Sequence, residues 1–200
     1  MPALRISPRA DPNYLKAFVD VLTKVARDVG DARAPLTLYV AGGAAMHLYT
    51  GVRMSDDIDA AADRKILMPG NTEIIYRDRD GKPRTLNMDA NYNDAFSLLH
   101  EDARDDSLAL DLRELRGLPI SVRVLSPLDL AVSKISRFSE IDREDIVTLA
   151  KERLVTARDL RRRAAEALAS YVGYEDVVTQ SIELACKAVS EASRRRTRRK

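Results

Sequence analysis

Two short stretches of the chain carry residue types at a spacing that could do chemistry. They are Tyr39-Val40-Ala41-Gly42-Gly43 and Arg53-Met54-Ser55-Asp56-Asp57-Ile58-Asp59. On an extended strand, residues i and i+2 point to the same face, so the Asp57 and Asp59 carboxylates project together while Ile58 packs behind them. Like charges at that distance repel unless a cation lies between them, so the pair reads as a divalent-metal site, Mg²⁺ or Mn²⁺. The glycines stand where an apolar strand over 36–41 passes into a short helix over 44–49. Backbone N–H groups at such a helix N-terminus can receive a phosphate. A phosphate cradle beside paired metal carboxylates is what phosphoryl or nucleotidyl transfer requires.

A two-metal site of this kind needs a third carboxylate from a neighbouring strand, as ligand or as base. Asp89, on the polar face of an otherwise apolar strand, is the expected one, and Asp111 in Leu110-Asp111-Leu112 is its rival. Asp56 should face the opposite way and is left out. Ser55 offers a hydroxyl to a phosphate or a carboxylate. Arg53 offers a fork that either binds phosphate or holds Asp57 or Asp59 in place. Lys134 stands among Leu130, Val132, Ile135 and Phe138, and either snorkels from a core face or reaches nucleotide phosphates. Asp145 either pairs with Lys134 or Arg137 and orients it, or is an ordinary exposed acid. His47 has no second His or Cys at ligand spacing and reads as a packing or surface residue. Cys186 is the single cysteine, so no internal disulfide forms; its apolar helical surroundings make it a small core residue.

These residues must be positioned by an ordered set of elements. Asp11-Pro12 opens a first helix as N-cap and first helical residue, with Tyr14, Phe18, Leu22 and Val25 on one face and Gly30 closing it. Gly51 ends the short helix after the glycines. Asp57 to Asp59 form the next strand, and 63–71, with Pro69-Gly70, is a loop or a broken helix. Strands over 73–76 and 84–91 flank the hairpin turn Asp78-Arg79-Asp80-Gly81. The acidic segment 94–106 has no clear period. A second hairpin is expected from 107–115 and 119–125 across Arg116-Gly117. From the N-cap Ser126 and Pro127 onward the pattern is helical, at 127–138, 142–153, 157–171 and 174–194. Strands first and helices last predict an α+β fold. The expected layout is a catalytic domain over 1–125, a helical C-terminal subdomain over 126–194 and a basic tail over 195–200.

The spacing of Gly42-Gly43, Arg53, Ser55, Asp57 and Asp59 resembles the signature of the nucleotidyltransferase superfamily that shares its fold with DNA polymerase β. Within it, the pattern is similar to bacterial minimal nucleotidyltransferases and to the toxins of abortive-infection toxin–antitoxin systems. A second block extends the likeness: Leu125-Ser126-Pro127-Leu128-Asp129-Leu130, then Lys134, Arg137 and Asp142-Arg143-Glu144-Asp145-Ile146. The resemblance spans residues 36 to 150. It implies a polymerase β-like core and a nucleoside triphosphate (ATP, CTP, GTP or UTP) as donor. Asp57, Asp59 and Asp89 would bind metal; Gly42, Gly43, Arg53, Ser55 and Lys134 would bind the nucleotide, with Asp145 and Arg137 in support. The implied acceptor is a tRNA 3′ end or a protein hydroxyl, and the implied partner a cognate antitoxin or toxin. The alternative is a non-catalytic, antitoxin-like or nucleic-acid-binding module that keeps the fold.

Composition sets the outer bounds. The chain has 200 residues, 45% of them hydrophobic, enough to bury a sizeable core. Net charge is only +2 although 32% of residues are charged, so the surface is mixed rather than uniformly basic. The exceptions are Arg161-Arg162-Arg163 and the final Arg194-Arg195-Arg196-Thr197-Arg198-Arg199-Lys200, which reads either as a solvated terminus or as a contact for a polyanion. No export signal and no membrane-spanning run is apparent, and a cytoplasmic location is expected.

Overall fold

The computed structural model describes residues 3–29, 34–66 and 70–197. Gly30, Pro69 and the last three residues of the basic tail, all of which bear on the expectations above, lie outside the described residues. The described chain is a mixed α+β protein with six α-helices: α1 (Pro12–Val29), α2 (Gly42–Thr50), α3 (Pro127–Ser133), α4 (Glu140–Lys151), α5 (Ala157–Leu168) and α6 (Glu175–Thr197). Its strands are β1 (Leu36–Val40), β2 (Asp57–Ile58), β3 (Ala60–Ala62), β4 (Ile74–Arg77), β5 (Pro83–Met88), β6 (Leu108–Ala109) and β7 (Ile120–Val124). No helix among the described residues is long and apolar enough to cross a membrane. The chain divides into two compact units, Met1–Tyr92 with Ser107–Val124, and Asn93–Asp106 with Leu125–Lys200. The acidic segment 93–106 thus belongs with the later helices.

In the first unit, β1 and β7 alternate apolar and polar residues, and their parallel register sets Leu36, Leu38 and Val40 beside Ile120, Val122 and Val124. All six are buried. A slip of one residue would turn every one of them outward, and each buried aliphatic is worth roughly 1.5–3 kcal/mol, so burial fixes the register. The sheet order is β3-β1-β7-β6, with β3 and β6 pairing antiparallel to their neighbours. A second sheet, β2-β5-β4, pairs β2 with β5 in parallel and β4 with β5 in the hairpin that the Asp78–Gly81 turn predicts. Gly81 there has φ +77°, and Asp78 Oδ1 accepts the N–H groups of Asp80 and Lys82. Helix α1 lays its apolar face (Tyr14, Phe18, Leu22, Val25) against β4 and β5. Its N-cap is Asp11, whose Oδ1 accepts the N–H groups of Asn13 and Tyr14.

Three expectations are corrected here. The run 57–59 is not one strand: the Asp59 carbonyl accepts the N–H of Ala41, which draws the chain from β5 in one sheet toward β1 in the other. Asp89 does not lie inside a strand, because its Oδ1 accepts the N–H of Asn91 and turns the chain after Met88. The second hairpin keeps only Leu108 and Ala109 as a paired strand before a tight 3-10 turn at Arg113–Leu115.

In the second unit, α3 starts at the cap Ser126 and ends with Lys134, earlier than the period suggests. Phe138 then takes φ +46°, a left-handed backbone that no continuing helix contains. Ser139 and Asp142 form a reciprocal capping box that starts α4 ahead of the expected position. Helix α6 packs on α4 and α5 through Val178, Ile182, Ala185, Cys186 and Val189, all buried, so Cys186 is the small core residue expected. The helix runs on through Thr197, into the stretch read as tail.

Candidate functional site

Helix α2 begins at Gly42 with no side-chain cap, because Ala41 at the N-cap position has no polar group to offer the first turn. Gly42 holds φ +55°, and a Cβ placed on it would lie 1.7 Å from Asp59 Oδ2 and 2.6 Å from its Cγ. The Asp59 carboxylate therefore rests on the bare α-carbon of Gly42. A Cβ on Gly43 would meet Ser55 Cβ at 2.6 Å, Arg53 Nη2 at 2.9 Å and Ser55 Oγ at 3.0 Å. Five residues singled out in the sequence are thus brought together: two glycines form a floor, and Asp59, Ser55 and Arg53 lie on it. The glycines are needed here for close approach as well as for conformation.

Backbone pairing arranges the acids. Asp57 opposes Asn87 and Ile58 opposes Met88 in the parallel β2–β5 pair, and the N–H of Asp89 donates to the Ile58 carbonyl at 3.1 Å. This register sets Asp89 beside the 57–59 run, while Ile58 and Met88 are buried behind it. Asp57 is exposed, Asp59 and Asp89 half-buried. Asp111 lies beyond β6, an edge strand of the other sheet, and holds Arg116 through two hydrogen bonds of 2.9 Å. Those bonds and the Arg116 charge keep its carboxyl below the usual range. Asp56, 63% exposed at the side chain, lies 4.0 Å from Arg84. Among the described residues, no three His, Cys, Asp or Glu side chains gather closely enough to hold a metal ion. The donors at hand are all carboxylate oxygens, a set that suits a hard cation such as Mg²⁺ or Mn²⁺.

A second layer holds these groups in place. Ser55 Oγ donates to the Asp57 carbonyl at 2.7 Å and lies 3.4 Å from the Tyr14 hydroxyl. With its one proton given to Asp57, Ser55 accepts from Tyr14. Burial pushes the Tyr14 phenol well above its ordinary pKa, so it remains a donor. His47, 1% exposed, donates from Nδ1 to the Arg53 carbonyl at 2.7 Å and accepts the Asp11 N–H at Nε2, at 2.9 Å. This fixes the neutral Nδ1–H tautomer, and burial lowers its pKa. Asp11 also ties in the hairpin, because its Oδ2 accepts the N–H of Arg79 at 2.7 Å. Burial alone would raise the Asp11 carboxyl, but its backbone N–H donors outweigh that and lower it.

In the second unit, Lys134 is neither a snorkelling cation nor a free one. Its Nζ is 2.7 Å from Asp145 and 3.7 Å from Asp142, with 7% of the side chain exposed. Arg137 forks onto Asp142 at 2.8 and 2.9 Å, and Ser139 donates both its N–H and its hydroxyl to the same carboxylate. Burial by itself would raise the Asp142 carboxyl, yet Arg137, Ser139 and the Lys134 charge bring it down to about 2. Asp145 takes the first of its two expected roles, with Lys134 as partner.

A protein family described as "Nucleotidyltransferase of unknown function (DUF6036)" matches residues 16–194. The chain belongs to this family. No curated protein matches it, and no solved structure does. The match spans both blocks of the nucleotidyltransferase pattern, from the glycine floor through the Lys134–Asp145 network. Three residues that support the site are not among those its sequence pattern singles out as ligands. Asp142, the buried hub of the ion network, was signalled by the Ser139-x-x-Asp142 capping spacing. Tyr14 gave no signal beyond its place on an apolar helix face. His47 was legible as a packing residue, but nothing local showed that it clasps Arg53 to Asp11.

Proposed function

We propose that this family member is a metal-dependent nucleotidyltransferase with a polymerase β-like catalytic core. It moves a nucleoside monophosphate from a nucleoside triphosphate to a hydroxyl on RNA, such as a tRNA 3′ end, or on a protein. The observation that carries this reading is the seating of Asp59 on Gly42, with Ser55 and Arg53 on Gly43, at the uncapped start of α2. The N–H groups of that first turn are donors for triphosphate oxygens. Arg53 adds a planar cation beside them, and Ser55 a hydroxyl once it exchanges its bond to the Asp57 carbonyl for one to phosphate. Asp57, Asp59 and Asp89 do not by themselves gather into a metal cage, and they would hold Mg²⁺ or Mn²⁺ together with oxygens of the bound triphosphate; the ion would supply positive charge for the attacking and leaving oxygens. The acceptor oxygen bonds to the α-phosphorus as the bond to pyrophosphate breaks; the acceptor proton passes to a carboxylate or to water. The charges of Lys134 and Arg137 are balanced by Asp142 and Asp145, and the reading rests on no contact from them to the triphosphate. A cognate antitoxin or toxin as partner, and action in the cytoplasm, are part of this reading on the strength of the resemblance alone.

The test is incubation with each of four α-labelled nucleoside triphosphates and Mg²⁺ or Mn²⁺, against total tRNA and cell lysate. Label should appear in RNA or in protein, and disappear in Asp57→Ala and Asp59→Ala chains that still show a cooperative thermal melt. Absence of label with every nucleotide, or label undiminished in both variants, refutes the reading and favours the antitoxin-like binding module.

A further inference from the structure

Arg53 meets one face of α2 at two points, and His47 supplies one of them. Gly43 and His47 are four residues apart, so they share a face of the helix, about one turn from each other. The Arg53 carbonyl accepts from His47 Nδ1 at 2.7 Å, and Arg53 Nη2 lies 2.9 Å from where a Cβ on Gly43 would be. The backbone and the guanidinium of one arginine are thus laid along α2, toward its uncapped first turn. The chain enters this path through Gly51, at φ +65°, where a Cβ would meet the Ala10 nitrogen at 2.6 Å. Segment 7–11 therefore presses on the end of α2. Ser7 donates its N–H to the Leu48 carbonyl at 2.8 Å, and Asp11 donates its N–H to His47 Nε2 at 2.9 Å. With the Nε2 lone pair taken by Asp11, the His47 proton must sit on Nδ1, where it faces Arg53.

We propose that His47 is a positioning residue for triphosphate binding that acts through Arg53; the proposal rests on the nucleotidyltransferase reading above. A long arginine side chain loses rotamer freedom when it grips a phosphate. Holding the Arg53 carbonyl on α2 fixes the base of that side chain, and the bare Gly43 α-carbon leaves room for its fork beside the first-turn N–H groups. Packing alone does not call for a histidine here. A phenylalanine ring would fill the same buried space against Tyr14, whose ring centroid is 4.4 Å away, but would donate nothing to Arg53. Arg53 grips the triphosphate in the ground state and the transition state alike. Loss of its positioning therefore shows in Kd and KM and leaves kcat nearly unchanged.

The test compares wild type, His47→Asn and His47→Gln, with Mg²⁺ and whichever of ATP, CTP, GTP and UTP the wild type binds. An Asn amide nitrogen falls where Nδ1 lies and still donates to Arg53. A Gln amide falls where Nε2 lies, accepts from Asp11 and stops short of the Arg53 carbonyl. Both lose the ring contact with Tyr14 and should melt lower alike. His47→Gln should raise Kd and KM about tenfold, the worth of one hydrogen bond, with kcat within about twofold, whereas His47→Asn stays within about threefold of wild type. In an Arg53→Ala background, His47→Gln should change Kd by less than about twofold, because the two residues act as one. Ring ¹⁵N–¹H spectra of the wild type, which has two histidines, need no variant. They should show His47 protonated at Nδ1 alone, with that proton shifting when the triphosphate is added. Equal Kd for the Asn and Gln chains, a Gln effect undiminished without Arg53, a proton on Nε2, or an Nδ1 proton unmoved by triphosphate overturns the proposal and leaves the nucleotidyltransferase reading standing. A wild-type chain that binds none of the four triphosphates removes that reading and this proposal with it.

Discussion

Replacing Gly42 by alanine puts two strains on one residue, and they can be separated. An L-residue in the left-handed region costs roughly 1–2 kcal/mol, and Gly42 sits at φ +55°. The added Cβ would also lie 1.7 Å from Asp59 Oδ2 and 2.6 Å from Asp59 Cγ, far inside contact distance, so the carboxylate must leave its rotamer. An off-rotamer side chain adds about 0.5–1.5 kcal/mol. Gly42→Ala should therefore lose about 2–3 kcal/mol, a fall in Tm of roughly 5–10 °C for a chain of this size. The decisive measurement is the same substitution in an Asp59→Ala background. There Cγ and both carboxylate oxygens are gone, and only Asp59 Cβ remains, at 3.0 Å. The clash largely vanishes, the backbone strain persists, and the loss should shrink to about 1–2 kcal/mol. Thermal or urea melts of the four chains give the coupling directly; neighbours of this kind couple by about 0.5–3 kcal/mol. Coupling indistinguishable from zero would mean that Asp59 does not rest on Gly42, and the floor-and-carboxylate geometry would fall with it. Nucleotide transfer need not be measurable for this test.

Three further expectations concern titration and buried charge. His47 has a folded pKa below its ordinary 6.5, so the unfolded chain binds the extra proton first; its stabilisation is complete above about pH 6.5 and is lost as pH falls below that. The drop in Tm between pH 7.5 and 5.5 should be steeper in the wild type than in His47→Phe, and equal slopes would refute the clasp. Asp142, at about 2 in the fold against 3.8 unfolded, contributes on the order of 2 kcal/mol that is present above about pH 4 and lost as pH falls through 2. In the same network, Lys134→Ala leaves Asp142 and Asp145 buried without their shared cation, and should lose about 3–5 kcal/mol by denaturant melt; a loss under 1 kcal/mol would show that the pair with Asp145 is not formed.

What the sequence disclosed and what it withheld follow from how far each signal reaches along the chain. The Asp11-Pro12 helix start, the Asp78–Gly81 turn and the alternation of β1 are local statements, written within a few residues of where they act. They fix elements to within a turn or so. The places where elements ended differently are those where a distant backbone group intervened: Ala41 taking the Asp59 carbonyl, or Asp89 turning back onto Asn91. The glycine pair is the most instructive case. A strand-to-helix turn alone explains one glycine, and a phosphate cradle explains two, so the sequence pattern points to a ligand. The geometry adds a third reason that operates before any ligand arrives: Asp59, Ser55 and Arg53, all more than nine residues onward, occupy the space where side chains at 42 and 43 would sit. Spacing shows that the glycines and the Arg53–Asp59 run belong together. Only the fold shows that each glycine is matched to its own neighbours, Gly42 to Asp59 and Gly43 to Ser55 and Arg53. The same distinction separates the readings of Lys134. Its apolar neighbours in sequence mark a buried position, and the acids that make burial tolerable come from the next helix, eight and eleven residues on. A buried lysine with two carboxylates is held in one place by acids that its own sequence neighbourhood does not contain, so burial is legible locally and the ion pair that permits it is not.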